Sequence, residues 1–211
     1  MNLINFILLA PELYFLNSII ALLWLGTYLK IKNVNTSYTS WLSPITCTTV
    51  FCILAVTILF CRNPAASFMA SNGYLAVTPL EVNVKLAILL SSVFILLATL
   101  DSKRAFNFSA AIENILLKTI IIFALLIVTC SNDMFILFFS LEIYALSSYI
   151  LVGQRGATSI FSSEAGLKYM ILGTVFSLIL GYGIALLYST SGLTNLTDLT
   201  IFHSTGAAVL G

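Results

Sequence analysis

Charge is what this sequence has least of. Asp, Glu, Lys and Arg make up 8% of its 211 residues, against roughly 25% in an ordinary soluble domain. A soluble chain of this length has to cover its exterior with charge, and too little is present to do so. Hydrophobic residues reach 60%, which fits a fold whose outer surface meets lipid. Nor is there a basic excess: nine Lys and Arg stand against eight Asp and Glu, so the basic patch that nucleic acid requires is missing. Histidine occurs once, at His203, far from Cys47, Cys52, Cys61 and Cys130, and those four cysteines form no C-x-x-C pair. That spacing argues against a zinc site, and the cysteines read as small buried hydrophobes. The sequence has no Gly-rich phosphate loop and no nucleophile motif, which argues against a free-standing enzyme. No Lys or Arg precedes the first apolar run, which Pro11-Glu12 interrupts, so the start of the chain does not read as a signal peptide.

What the chain does have is long apolar runs. A spanning helix needs about 20 mostly apolar residues, and six windows qualify, at roughly 4–29, 42–61, 80–100, 113–131, 133–152 and 164–188. The expected fold is therefore all-α, a polytopic membrane protein of about six transmembrane helices forming a single transmembrane domain over 1–211. Short polar connectors separate the windows, from Lys30 to Trp41, Arg62 to Pro79, Asp101 to Ile112 and Gly153 to Ser163. Only Asn132 joins the fourth window to the fifth, with Asp133 opening the next helix, so those two should be antiparallel neighbours. Lys30, Lys32, Lys103, Arg104 and Arg155 fall in odd-numbered loops and Arg62 alone in an even one. By the positive-inside rule both termini face outward, away from the cytoplasm or matrix.

Ionisable side chains inside the apolar slab are the candidate functional residues, because charge there is costly. Glu142 stands about nine residues from either end of the fifth window. That is roughly 14 Å from either surface, beyond the reach of a short carboxylate. It must face other helices or an internal cavity, as a proton-relay group or as a structural polar contact. Lys168 lies one turn into the sixth window, after Ser162-Ser163-Glu164. It either pairs with Glu164 at i, i+4 near the surface or turns inward towards Glu142. Lys85 and Lys118 each lie about five residues from a window's end, roughly 7–8 Å deep, within reach of a snorkelling lysine. Snorkelling or a local pair is expected for Lys85, whereas Lys118 is a possible relay member on the same inner half as Lys168. Glu12 either hydrogen-bonds a neighbouring helix, the favoured reading, or has a direct proton role. Gly166, Gly173, Gly181 and Gly183 offer the sixth helix places for close approach or ordinary packing.

The stretch SNDMFILFFSLEIYALSSYILVG, followed by SSEAGLKYMILGTVFSLILGYGIALLYSTSGLTNLTDL, resembles the antiporter-like subunit N family of respiratory complex I. The Ala-Pro-Glu-Leu of the first window is similar too. The resemblance is strong from 131 to 198 and weaker from 30 to 110. It implies a proton-translocating subunit of the membrane arm with no redox centre of its own. NADH, FMN, iron–sulfur clusters and ubiquinone would be bound by other subunits. The family's buried glutamate falls on Glu142 and its sixth-helix lysine on Lys168. Family members continue into two inverted repeats. Against that pattern, 1–100 reads as three N-terminal helices and 113–211 as an incomplete start of the first repeat. The expected partners are other membrane-arm subunits, the lipid bilayer and a second chain carrying the missing C-terminal helices, with no nucleic acid. A chain rich in Ile, Phe, Ser and Asn points to the mitochondrial inner membrane, with a bacterial inner membrane as the alternative. A cation/proton antiporter component and a structural scaffold remain open as functions.

Overall fold

The computed structural model describes residues 10–31, 68–70, 73–101, 108–154 and 160–201. In chain order these form α1 (Ala10–Ile31), the strands β1 (Phe68–Ala70) and β2 (Leu75–Val77), then α2 (Pro79–Asp101), α3 (Phe108–Cys130), α4 (Met134–Gly153) and α5 (Ile160–Ser191). A further helical turn begins at 196. Five of the six apolar windows thus appear as α1 to α5, and the window at 42–61 lies outside the described residues. Four helices among the described residues, α2 to α5, are long and apolar enough to cross a membrane.

Local chemistry sets the helix ends. Thr78 and Glu81 form a capping box at the start of α2. The Thr78 N–H donates to Glu81 Oε2 at 2.9 Å and the Glu81 N–H to Thr78 Oγ1 at 3.3 Å, with Pro79 at the first helical position where no donor is needed. Asp133 caps α4, its Oδ1 accepting from the N–H groups of Phe135 and Ile136 at 2.8 and 3.4 Å. α5 runs for 32 residues, about 48 Å, and outlasts its apolar window. Thr190 and Ser191 do not end it, because their hydroxyls donate to the carbonyls of Leu187 and Leu186, respectively Leu187. Gly192 ends it, with φ at 68° and its N–H bonded to Tyr188 O, a left-handed cap suited to glycine.

α3 is the hub, packing against α1, α2 and α4, while α5 packs against α4. Phe15 from α1, Val82, Leu89 and Leu96 from α2, and Ile122 and Leu126 from α3 make the principal buried cluster. Leu22 meets Ile115 deeper along the same contact. Glu12 lies near Cys130 and Leu22 near Ile115, so α1 runs antiparallel to α3 and parallel to α2. The outer surface is apolar: Trp24, Phe94, Phe139, Phe176 and Leu178 are all exposed. Within the Phe161–Ser191 window only Gly166 is buried, and the rest is a surface that only lipid or another membrane helix could cover. Together with the spans, this inversion of a soluble surface makes the chain a multi-pass membrane protein.

One end of the bundle is stitched by backbone. β1 and β2 pair antiparallel, Phe68 opposite Val77, in the segment the sequence marks only as a polar connector. Isolated bridges join Leu75 to Ser131 and Asp133 to Asn195. Buried Asn132 sits between them. Its N–H donates to Tyr74 O at 2.9 Å, its carbonyl accepts from Leu196 N at 2.8 Å, and its amide reaches Gly73 O at 2.8 Å. The second, fourth and final connectors therefore meet on one face, termed the hairpin face below. This alternation fits the antiparallel arrangement expected for α3 and α4. Of the six basic residues used to orient the termini, Lys32, Arg62, Lys103, Arg104 and Arg155 lie outside the described residues.

Candidate functional site

α4 and α5 touch through glycine. A Cβ on Gly166 would stand 2.9 Å from Gly153 Cα and 3.2 Å from Gly153 N, so the two backbones meet there with no room for a side chain. Two turns further on, a Cβ on Gly173 would fall 1.7 Å from Tyr149 Oη. Gly173 thus provides the recess into which the Tyr149 phenol fits. The Tyr149 ring in turn meets Tyr169 edge-on, with centroids 4.7 Å apart and planes at 86°. Gly181 meets Phe138 at an ordinary 3.5 Å, and Gly183 has nothing within 4 Å. Of the four glycines, two are therefore required for close approach.

Alongside this contact, α4 and α5 line a pocket of about 310 Å³. Glu142 lines it, half-buried, with the hydroxyl-bearing Tyr144, Tyr149, Tyr169 and Ser177 and the ring of Phe138. The Ser148 hydroxyl reaches Tyr169 Oη at 3.4 Å. A carboxyl group bordered by phenols and a serine can hold a proton and exchange it with water entering the pocket. Ser140 and Ser147, on the buried side of α4, donate to the carbonyls of Ile136 and Ile143 and are occupied by their own helix. A second pocket of about 420 Å³ lies towards the opposite end of α3 and α4, lined by Glu113, Leu116, Leu117, Ile150, Gly153 and Gln154.

Lys168 is not brought to Glu142. Its ammonium donates to Glu164 Oε1 at 2.5 Å on the same helix, and both side chains are exposed, at 71% and 55%. Lys118 is half-buried on α3, on the helix that packs against α4. Lys85 departs from its expected place. It neither snorkels nor pairs locally, but is buried at 1% exposure and paired with Glu12 across 73 positions of sequence. Helix packing is the reason: α1 lies alongside α2 and α3 with its first turn level with Lys85, so the carboxylate is nearer than the surface. Sequence reasoning missed this pair as a unit. The available signal was two opposite charges at similar depth in the same half of the slab.

Residues 131–210 match the family described as NADH:quinone oxidoreductase/Mrp antiporter, TM. Subunit N 2 of the NADH-quinone oxidoreductase of Chloroherpeton thalassium is 34% identical over 132 residues, covering 62% of this chain and 26% of that protein. Subunit N from Maricaulis maris is 28% identical over 202 residues, 96% of this chain and 40% of that protein. A chain in the respiratory complex I of Thermus thermophilus with bound aureothin shares the fold, with a TM-score of 0.67 at 22% identity over 88% of this chain and 38% of its own length. The chain thus spans between 26% and 40% of the length of these curated relatives. Fold and matched segment agree, and the chain is a homologue of subunit N of NADH-quinone oxidoreductase, the antiporter-like subunit of respiratory complex I.

Proposed function

We propose that the chain is a proton-translocating membrane-arm component of an NADH:quinone oxidoreductase, in which Glu142 holds the transferred proton. One observation carries the reading: Glu142 borders the hydroxyl-lined α4–α5 pocket, within the segment that matches the family. Lys168 and Lys118 supply the cations that bias Glu142 between its protonated and ionised forms, since a nearby positive charge favours the carboxylate. Lys168 does so only after exchanging its Glu164 partner for the pocket, and that exchange is the conformational step driven by redox work elsewhere. NADH, FMN, the iron–sulfur clusters and the quinone belong to other subunits.

Other membrane-arm subunits cover the exposed apolar length of α5. Both termini face outward, and the membrane is the mitochondrial inner membrane, on the strength of loop charge and composition. The test is native-gel separation of mild-detergent membranes, then replacement of Glu142 by Gln in the assembly that holds the chain. The expected result is co-migration with a large NADH-oxidising complex and its other membrane-arm subunits. Glu142→Gln should lower proton translocation at least tenfold with assembly intact. Migration alone or as a small oligomer, or a Glu142→Gln complex that pumps normally, overturns the proposal.

A further inference from the structure

Glu12 and Lys85 have no part in the α4–α5 pocket, yet they form a buried pair of opposite charges in the contact of three helices. Glu12 enters from the first turn of α1. Lys85 enters from α2, about 9 Å beyond the start of that helix. Their side chains are 7% and 1% exposed. The ammonium donates to Glu12 Oε1, and the Cys130 thiol, at the end of α3, lies 3.9 Å from the same oxygen. Glu81, one turn before Lys85, is engaged in capping α2. The other carboxylate oxygen, Glu12 Oε2, is buried without a hydrogen-bond partner among the described residues.

That half-satisfied state is the informative feature. A pair that only ties helices together gains most when every lone pair and proton is used, because desolvating two charges is otherwise uncompensated. Here one carboxylate oxygen is left over beside an ammonium with three donors and a thiol, enough polar partners to hold a buried water. The surroundings also decide from where water can come. Deeper in the bundle the same helices present Phe15, Leu89, Leu96, Ile122 and Leu126, all buried. Among them Ser18 and Ser92 donate to the carbonyls of Phe15 and Leu89 on their own helices. The hairpin face, by contrast, is less than two helical turns away along α2.

We propose that Glu12 and Lys85 form a second proton-exchange site, independent of the Glu142 pocket and hydrated only from the hairpin face. A hydronium reaching Oε2 gives up one proton: an O–H bond forms on Glu12, an O–H bond of the hydronium breaks, and water is left. Lys85 keeps its three protons throughout. The site is therefore neutral when empty and singly positive when loaded, and release reverses the step. Loading removes the charge that holds Lys85 to α1, so proton activity at this face is coupled to the packing of α1 on α2 and α3. The apolar layer beneath makes it a one-sided store and not a through path.

The test is infrared spectroscopy of the assembled complex in its membrane, transferred from H2O to D2O and compared with the Glu12→Gln complex. The expected result is a carboxyl or carboxylate band that is absent in Glu12→Gln, persists in Glu142→Gln, and responds to D2O within minutes in the native state. A Glu12 band that responds only on unfolding means a dry structural tie and overturns the proposal. If Glu12→Gln does not assemble, a high-resolution density map of the wild-type complex decides. Water density within hydrogen-bond distance of Glu12 Oε2 supports the site, and a dry Oε2 overturns it.

Discussion

Replacing the four glycines of α5 one at a time by alanine separates close approach from coincidence. At Gly166 the new Cβ meets the Gly153 backbone at 2.9 Å, so the helices have to part by about 0.5 Å to reach the 3.4 Å of ordinary contact. Overpacking of this kind costs about 1–3 kcal/mol, offset by about 1 kcal/mol from the better helix propensity of alanine. The net expectation is a loss of about 0–2 kcal/mol. Gly183 has nothing within 4 Å, so only the propensity gain remains, and Gly183→Ala should be more stable by up to about 1 kcal/mol. Gly173→Ala meets the far end of the Tyr149 side chain at 1.7 and 2.4 Å. The phenol can swing aside, at the loss of an aromatic contact with Tyr169 that is worth about 0.5–1.5 kcal/mol. Swinging aside also moves a wall of the Glu142 pocket, so this variant should lose proton translocation out of proportion to stability. The assay is the midpoint of thermal unfolding in mild detergent for each variant, paired with translocation in the assembled complex. Gly183→Ala destabilising as much as Gly166→Ala would refute the α4–α5 contact itself.

Three further outcomes are expected. Asn132→Leu removes an amide that reaches Gly73 O, Asn195 Oδ1 and Thr197 Oγ1 at 2.8, 3.1 and 3.3 Å. An amide nitrogen has two protons to donate, so the loss should be about 1–3 kcal/mol, seen as a lower unfolding midpoint and faster proteolysis on the hairpin face. Lys168→Met removes an exposed i, i+4 pair of the kind worth about 0.3–0.5 kcal/mol. The unfolding midpoint should hardly move while translocation falls, and a stability loss above about 1 kcal/mol would contradict the exposed placement. Glu142→Gln should behave as the mirror of Asn132→Leu, with stability kept and translocation lost in a proton-uptake assay.

Local features of this fold were legible in the sequence because their physics is local. Asp133 opens α4 as its N-cap and Glu164–Lys168 is an i, i+4 pair, as read from the sequence, whereas the equally local Thr78–Glu81 capping box was passed over. Long apolar windows likewise located the helices of a membrane fold. What escaped was set by helices far apart in sequence. β1 and β2 are three residues each, too short to show a period, and are held by long-range bridging of Leu75 to Ser131. The end of α5 was placed short because Ser189, Thr190 and Ser191 lower hydropathy, although hydroxyls that donate to their own helix cost it little. For Lys85 snorkelling or a local pair was expected, because a single-helix argument does not say which neighbour offers a carboxylate.

α3 gives these separate features a common mechanical element. Cys130 at its end lies beside the Glu12–Lys85 pair, Ile122 and Leu126 complete the apolar layer beneath, and α4 with Glu142 packs along it. At that same end, Ser131 to Asp133 tie α3 and the start of α4 to the hairpin and to the segment following α5. Closely packed interiors shift by repacking, not by smooth deformation, so a tilt of α3 cannot be confined to one of its faces. The hairpin face is pinned by backbone hydrogen bonds, and towards the opposite end the pocket of Glu113 and Gln154 opens between α3 and α4. A change at that end would therefore reach Glu142 through α4 before it disturbed the Glu12–Lys85 pair, which lies beside the pinned end.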